Sequence, residues 1–140
     1  MKKISTILIA AVALMAITAA CSKDIDSRLP YFATWTWSDG WTLTISANEI
    51  RVDNTTGGWY KVSPITWTAV TNTNSETKNN YPSGYKITGL ISAENDSHWG
   101  DVGEPFGDTW THFIHKDGKS MIEQEDGSDG WHNVLIKQGL

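Results

Sequence analysis

The sequence predicts an all-β protein, an eight-stranded antiparallel up-and-down β-barrel that follows a cleaved signal peptide. Two observations carry this prediction. Along most of the chain after residue 30, apolar and polar side chains alternate with a period of two, as in strands with one buried face. Turn segments rich in Gly, Asp and Asn separate these runs, and no stretch after the leader has the apolar period of a helix.

The clearest element is a hairpin over residues 33–46. Trp35 and Trp37 alternate with threonines before a Ser-Asp-Gly segment at 38–40, and the alternation resumes at Trp41. Asp-Gly favours a tight hairpin turn because Gly accepts positive φ without steric cost. Residues 33–46 are therefore predicted to be an antiparallel β-hairpin.

The other predicted strands show the same alternation of apolar and polar side chains. Pro64 lies inside the fourth of them, where the missing backbone N–H predicts a kink or bulge. A closed barrel over residues 31–138 removes the exposed edges of such a set, and a two-sheet sandwich of the same strands is the alternative. The predicted strands are 32–37, 41–46, 49–52, 59–70, 84–93, 109–115, 119–124 and 131–137.

Residues 1–20 are predicted to be a secretory signal peptide. Lys2 and Lys3 precede a short apolar run that is too short for a comfortable membrane span of about 20 residues. The segment ends in Ala19-Ala20-Cys21, which resembles the lipobox of bacterial lipoproteins. That resemblance implies that Cys21 becomes the lipidated N-terminus; the alternative is an ordinary signal peptide that leaves a free thiol.

Cys21 is the one cysteine in the sequence, so a disulfide within the chain is impossible. Residues 21–30 are predicted to be the lipidated cysteine followed by a polar tether. Ser22, next to the cysteine, resembles the sorting signal of enteric outer-membrane lipoproteins. We therefore expect a bacterial cell-envelope protein that is anchored by lipid, with the outer membrane as the expected location.

The composition excludes several classes of partner. Without the leader, nine basic residues stand against sixteen acidic ones, which argues against nucleic-acid binding and against a polybasic membrane-surface mode. All fifteen aromatic residues follow the leader, and eight are tryptophan, so the mature chain is too aromatic to be disordered. We expect one monomeric domain.

The layout resembles a bacterial lipoprotein with a lipocalin-like (calycin) domain. The local likeness is Ala33-Thr34-Trp35, where lipocalins and avidins have Gly-x-Trp. Lipocalins also place an Arg from the last strand against this Trp, whereas the last strand here offers Lys137, and their long first loop is replaced by the turn at 38–40. The resemblance implies a barrel that carries a small apolar ligand.

The residues expected to line the barrel interior are aromatic. Simple core packing explains them as well as a ligand cavity does, since each buried Trp removes about 150–250 Å² from water. An avidin-like biotin site lacks a convincing polar set. The candidate ligand-binding residues are Trp35, Trp37, Trp41, Trp67, Tyr85 and Trp110.

No reaction is indicated by the sequence. His112 and His115 are three apart on a strand and point to opposite faces, so they do not form a metal pair. No nucleophile motif, phosphate-binding loop or zinc spacing is present. We expect no enzyme activity, no metal and no cofactor.

The loops at one end of the predicted barrel are rich in carboxylates. They are either a solubilising cap or a membrane-distal rim that attracts a basic protein or a divalent cation, which makes an adhesin or protease inhibitor the alternative function. Trp99 and Phe106 would add apolar contacts to this rim. The candidate rim residues are Asp39, Trp99, Asp101, Phe106, Asp126 and Asp129.

The anchor gives the first testable prediction. Cys21→Ala removes the only thiol, so the protein should leave the membrane fraction and lose labelling by radioactive palmitate. Ser22→Ala, which keeps the thiol, is the matched control and should stay labelled. A native protein that is soluble and unlabelled would end the lipoprotein interpretation.

Overall fold

The computed structural model describes residues 25–95, 100–128 and 132–139. Cys21, Trp99, Asp129 and the predicted signal peptide lie outside these residues. Nine strands and one 3₁₀ turn, Leu29–Tyr31, make up the regular structure of the described part. The strands are β1 Thr34–Trp37, β2 Thr42–Ile45, β3 Ile50–Asp53, β4 Trp59–Thr71, β5 Ser83–Glu94, β6 Pro105–Phe106, β7 Trp110–Ile114, β8 Ser120–Glu125 and β9 His132–Lys137.

The strands form a closed antiparallel barrel, which confirms the predicted fold over the sandwich. Eight strands pair in the order β1-β2-β3-β4-β5-β7-β8-β9, and β9 returns to pair with β1, with Trp37 opposite Leu135. The short β6 pairs with Gly89 and Leu90 of β5, whereas β7 pairs with Gly84 and Tyr85, nearer the start of that strand. Within the described residues no helix has the length and apolar character to cross a bilayer.

The up-and-down order separates the loops into two sets. We call one end of the barrel the closed end; it contains the β2–β3, β4–β5 and β7–β8 connections and the entry of the chain before β1. The other end, the open end, contains the β1–β2, β3–β4, β5–β7 and β8–β9 connections. The four loops predicted to share an end therefore do so.

The bulge in β4 changes which side chains face the interior. The β4–β5 register shifts on both sides of Val62, next to the cis Ser63-Pro64 bond, as the proline predicted. A bulge adds one residue to one strand and so reverses the alternation beyond it. Tyr60 and Val62 thus share the interior with Ile65 and Trp67, although they are separated by an odd number of residues.

The interior matches the predicted apolar face. Ten residues at apolar positions of the alternating runs are either in the buried cluster or packed against it: Trp35, Trp37, Trp41, Leu43, Ile45, Ile65, Trp67, Tyr85, Ile87 and Ile91. Residues that the pattern did not orient are decided by the structure. On β7, His112 and Ile114 face inward, while Phe113 faces outward and is still buried.

The outward residues of β7 and β8 are buried because the β4–β5 connection lies against them. The N–H of Lys116 donates to the carbonyl of Asn80 (3.0 Å), and the hydroxyls of Tyr81 and Ser120 are hydrogen-bonded at 3.2 Å. Phe113 is 4% exposed and Ile122 is fully buried. The segment predicted as a long polar loop thus forms a second, smaller cover outside the barrel.

Tyr31 seals the closed end. Its ring meets Trp67 and Tyr85 edge to face, with centroids 6.0 and 5.4 Å apart, and it is 2% exposed. Its hydroxyl donates to the carbonyl of His112 and accepts the N–H of Ile114, both at 3.3 Å. Burial raises the pKa of this phenol, so it stays neutral. The segment just before β1 therefore helps to close this end of the barrel, and we call the cluster of Tyr31, Trp67 and Tyr85 the floor.

Two further contacts tie the floor together. The indole N–H of Trp35 donates to the carbonyl of Tyr31 (3.0 Å), and Nζ of Lys137 lies 5.7 Å from the centroid of the Trp35 ring. Before the 3₁₀ turn, Ser27 is hydrogen-bonded to Tyr85, and the guanidinium of Arg28 lies 5.6 Å from the Trp67 ring. The last residues of the predicted tether therefore contact the barrel.

Removal of the seal should cost stability in two steps. Tyr31→Phe loses two buried hydrogen bonds and should lower the free energy of unfolding by about 1 kcal/mol. Tyr31→Ala also leaves a cavity and should cost about 3–5 kcal/mol. Urea denaturation of the unlipidated mature chain measures both.

Tyr81→Phe is the control, because it removes the more exposed hydroxyl contact to Ser120 and should cost at most about 0.5 kcal/mol. A Tyr31→Ala protein as stable as the native one would show that the floor does not depend on this side chain.

Candidate functional site

A cleft of about 750 Å³ enters the barrel from the open end. Its walls are mostly aromatic, with Trp37, Trp41, Tyr60, Phe106 and Trp110 around the space. Two polar residues, Glu123 and Asn133, lie at the strand level, below the loops. The other polar residues of the lining lie nearer the loops: Ser38, Asp39, Asp108 and Thr109. This combination of apolar walls and a few convergent polar groups is typical of small-molecule sites.

The β1–β2 turn holds one wall. Gly40 adopts φ +88°, and the turn is closed by hydrogen bonds between Trp37 and Trp41 and from Gly40 to Trp37 (both 3.0 Å). The side chain of Asp39 accepts the N–H of Trp41 at 3.1 Å. The Asp-Gly turn predicted from the sequence thus places two tryptophans beside each other at the cleft.

The opposite wall depends on two close backbone approaches. Gly107 has φ +83°, and a Cβ there would lie 1.9 Å from the carbonyl oxygen of Ile87, so a side chain cannot be accommodated. Gly89 pairs with Phe106, and a Cβ on it would meet Val62 and Pro64 below 3.0 Å. Gly107 therefore lets the β5–β7 connection lie flat on β5, whereas Gly89 lets β5 approach the bulge of β4. The Phe106 ring lies 6.1 Å from that of Tyr60.

A buried carboxylate, Glu123, lies at the bottom of the cleft. The side chain of Glu123 is 12% exposed, and its Oε2 accepts the indole N–H of Trp37 (3.1 Å) and the amide of Asn133 (3.3 Å). Nε2 of His112 lies 3.2 Å from Oε1, an ion-pair distance. Nδ1 of the fully buried His112 has no hydrogen-bond partner among the described residues.

These partners keep the carboxyl group ionised. Burial by itself would raise the pKa of Glu123, but the contact with His112 and the hydrogen bonds from Trp37 and Asn133 outweigh it and hold the pKa below its usual value. Across the cleft, burial and then the negative charge of Glu123 raise the pKa of the Tyr60 phenol. The site therefore contains a carboxylate and a neutral phenol.

The structure divides the six predicted interior aromatics between the two ends. Trp37, Trp41 and Trp110 line the cleft. Trp35 is fully buried beneath it, and Trp67 and Tyr85 belong to the floor around Tyr31. The six residues therefore do not surround one space.

The rim residues also have different surroundings. Asp39 and Phe106 line the cleft, and Asp101 is exposed in the β5–β7 connection. Asp126 forms an ion pair with Lys86 and accepts the Thr111 hydroxyl (3.1 Å), so a strand lysine offsets part of the charge of the loops. Among the described residues, no three or more His, Cys, Asp and Glu side chains come together as a metal site.

Four contributors to the site were missed at the sequence level: Glu123, His112, Tyr60 and Asn133. A usable signal existed for the first two. A hairpin symmetric about Asp117-Gly118 puts His112 opposite Glu123, as the observed register has it. Tyr60 was hidden by the bulge in β4, since an unbroken alternation would place it outside.

No known protein family matches the chain, and neither the curated proteins nor the solved structures contain a match.

The buried carboxylate gives a prediction about pH. Because the pKa of Glu123 is lower in the folded protein than in the unfolded chain, its ionised form stabilises the fold above its ordinary pKa of 4.5, and this contribution is lost as pH falls below that value. Glu123→Gln should therefore be less stable than the native protein at pH 5.5, by about 1–3 kcal/mol, and the difference should shrink at pH 3.

Urea denaturation at the two pH values measures this difference. Glu76→Gln, in the exposed β4–β5 connection, is the control and should match the native protein at both. A stability difference for Glu123→Gln that is the same at pH 3 and pH 5.5 would contradict the assigned ionisation.

Proposed function

We propose that the protein is a lipid-anchored cell-envelope protein whose barrel binds one small, largely apolar ligand in the cleft at the open end. The observation that carries this proposal is the aromatic cleft itself. Its volume of about 750 Å³ lies within the range of roughly 300–1,000 Å³ that small-molecule pockets occupy. Five aromatic rings supply the apolar surface that such a ligand needs.

The packing of the barrel interior supports this location for the ligand. Below the cleft, side chains fill the interior, with Trp35, Leu43, Met121 and Leu135 fully buried. Eight-stranded barrels have room for side chains or for one small ligand. In this barrel, side chains fill the half at the closed end, and the half at the open end offers space for a small ligand.

The anchor and the cleft are compatible in this proposal. The chain enters at the closed end, where Ser27 contacts Tyr85. Three residues lie between Cys21 and Ile25, so these two residues can be at most about 13 Å apart when the segment is extended. A lipid on Cys21 would hold the closed end near the membrane, and the cleft would then open away from the bilayer toward the aqueous side.

A protein-interaction module is the second candidate, and the open-end loops favour it. Val102 is 60% exposed beside Asp101 and Glu104 in the β5–β7 connection, and Leu90 on the adjoining strand is 56% exposed. Apolar side chains set among carboxylates suit contact with a basic protein. In this version of the function, the cleft would be a by-product of the barrel.

Ligand binding separates the two candidates. The neutral apolar dye N-phenyl-1-naphthylamine should bind saturably, with one site per chain, and should raise the melting temperature. Phe106→Ala removes one wall and should weaken binding by about 5- to 30-fold, equivalent to roughly 1–2 kcal/mol. Dye fluorescence titration measures both proteins.

Ile136→Ala is the matched control, because Ile136 is 54% exposed on the outside of the barrel and should not affect binding. Native mass spectrometry of protein purified from its own cells should in addition reveal a bound small molecule. Absence of both dye binding and a bound molecule would reject the ligand-binding proposal and favour the interaction module.

A further inference from the structure

The cleft has a one-sided charge distribution. Its described lining contains three carboxylates, Asp39, Asp108 and Glu123, and no Lys, Arg or His. Apolar walls reduce local screening by water, so each of these charges acts more strongly than it would on an open surface. The cleft therefore favours positive charge.

Basic residues on the strands are engaged outside the cleft. Arg51 is paired with Asp53 through two nitrogen atoms, and Lys86 is paired with Asp126. Lys137 lies at the closed end against Trp35. None of these three residues belongs to the cleft lining, so they do not cancel its charge from inside.

Glu123 is the charge that a ligand would reach at the bottom. Its Oε2 accepts hydrogen bonds from Trp37 and Asn133, and its Oε1 lies 3.2 Å from Nε2 of His112. A carboxylate has about four acceptor positions, so Glu123 has capacity for another donor. His112 is fully buried and does not line the cleft, and it therefore contacts the carboxylate from the protein side.

The aromatic walls add to the same preference. Trp37, Trp41, Tyr60 and Trp110 surround the space next to this carboxylate. The faces of Trp and Tyr rings attract cations, by about 0.5–2 kcal/mol per contact depending on desolvation. A neutral ligand would use only the apolar area of these rings, while an anion would be repelled by both the rings and the carboxylates.

We propose that the ligand of this cleft is a small organic cation, an apolar body that carries a protonated amine, with Glu123 as the counter-charge and the tryptophans around the body. This inference rests on the proposed ligand-binding function and narrows it. A fatty acid or another apolar anion is excluded as a ligand, because its carboxylate would enter a low-dielectric space next to Glu123 without a cation to pair with.

Three compounds with one skeleton and different head groups test this proposal: 4-phenylbutylamine, 4-phenylbutanol and 4-phenylbutanoate. Each is titrated at pH 7.5 into the full mature chain, with binding measured by calorimetry and tryptophan fluorescence. The amine should bind at least about tenfold more tightly than the alcohol, and the carboxylate more weakly than both. A tenfold ratio corresponds to about 1.4 kcal/mol.

Variants assign the preference to Glu123. Glu123→Gln should weaken binding of the amine about tenfold while binding of the alcohol changes less than about twofold. Glu49→Gln makes the same chemical change at the closed end, where Glu49 pairs with Lys61 (3.4 Å), and should alter neither. Circular dichroism and melting curves of each variant show whether the barrel is intact.

The outcomes separate this inference from the function it rests on. If the alcohol binds but the amine binds no more tightly, or if the carboxylate binds as well as the amine, the cationic ligand class is wrong and the cleft remains a ligand site. If Glu123→Gln weakens the amine and the alcohol equally, Glu123 is not the counter-charge, and the proposal is overturned. If none of the three compounds binds although N-phenyl-1-naphthylamine does, the cationic ligand class is wrong and the ligand-binding function stands; if the dye does not bind either and no bound molecule is found, the ligand-binding function itself fails.

Discussion

The pairing of β9 with β1 is the constraint on which the rest of this structure depends. Trp35 lies opposite Lys137, and Trp37 lies opposite Leu135, and these pairs turn an open sheet into a barrel. Closure removes the exposed edges of the sheet and limits the interior to the width of a few side chains. Every inward-facing residue must then either fill this space or border what is left of it.

The two ends of the barrel interior are packed differently. At the closed end, Tyr31, Trp67 and Tyr85 meet edge to face, and the 3₁₀ turn before β1 brings Tyr31 into this cluster. At the open end, the aromatic rings stand around a space and do not fill it, with Val52, Glu123 and Asn133 between them. The cleft is thus what remains after the floor has been packed.

A carboxylate inside a barrel is unfavourable unless its partners replace water. Glu123 has three such partners: Trp37 on β1, His112 on β7 and Asn133 on β9. The carboxylate therefore contacts both strands of the closing pair, β1 and β9, and also β7. Replacement of such a cluster by well-packed apolar residues is often neutral or stabilising for other proteins. The stability of the barrel therefore does not by itself account for Glu123, and its place at the bottom of an aromatic cleft agrees with a role in recognition.

Much of the architecture could be predicted from the sequence, because the evidence for it is local. Alternation of side chains, the Asp-Gly turns and the position of Pro64 depend on neighbours in the chain, and eight strands, the closed barrel and the bulge followed from them. Residues 1–20 and Cys21 likewise carry a local pattern, which leads to the proposal of a lipid anchor.

The tertiary structure alone decided which residues meet in the cleft. Tyr60 faces inward because a bulge reverses the alternation of β4, and Phe106 reaches the cleft because Gly107 lets the β5–β7 connection lie on β5. Glu123 lies opposite His112 and Asn133 through the registers of two local hairpins. Its contact with Trp37 of β1, in contrast, depends on closure of the barrel, which no short stretch of sequence encodes.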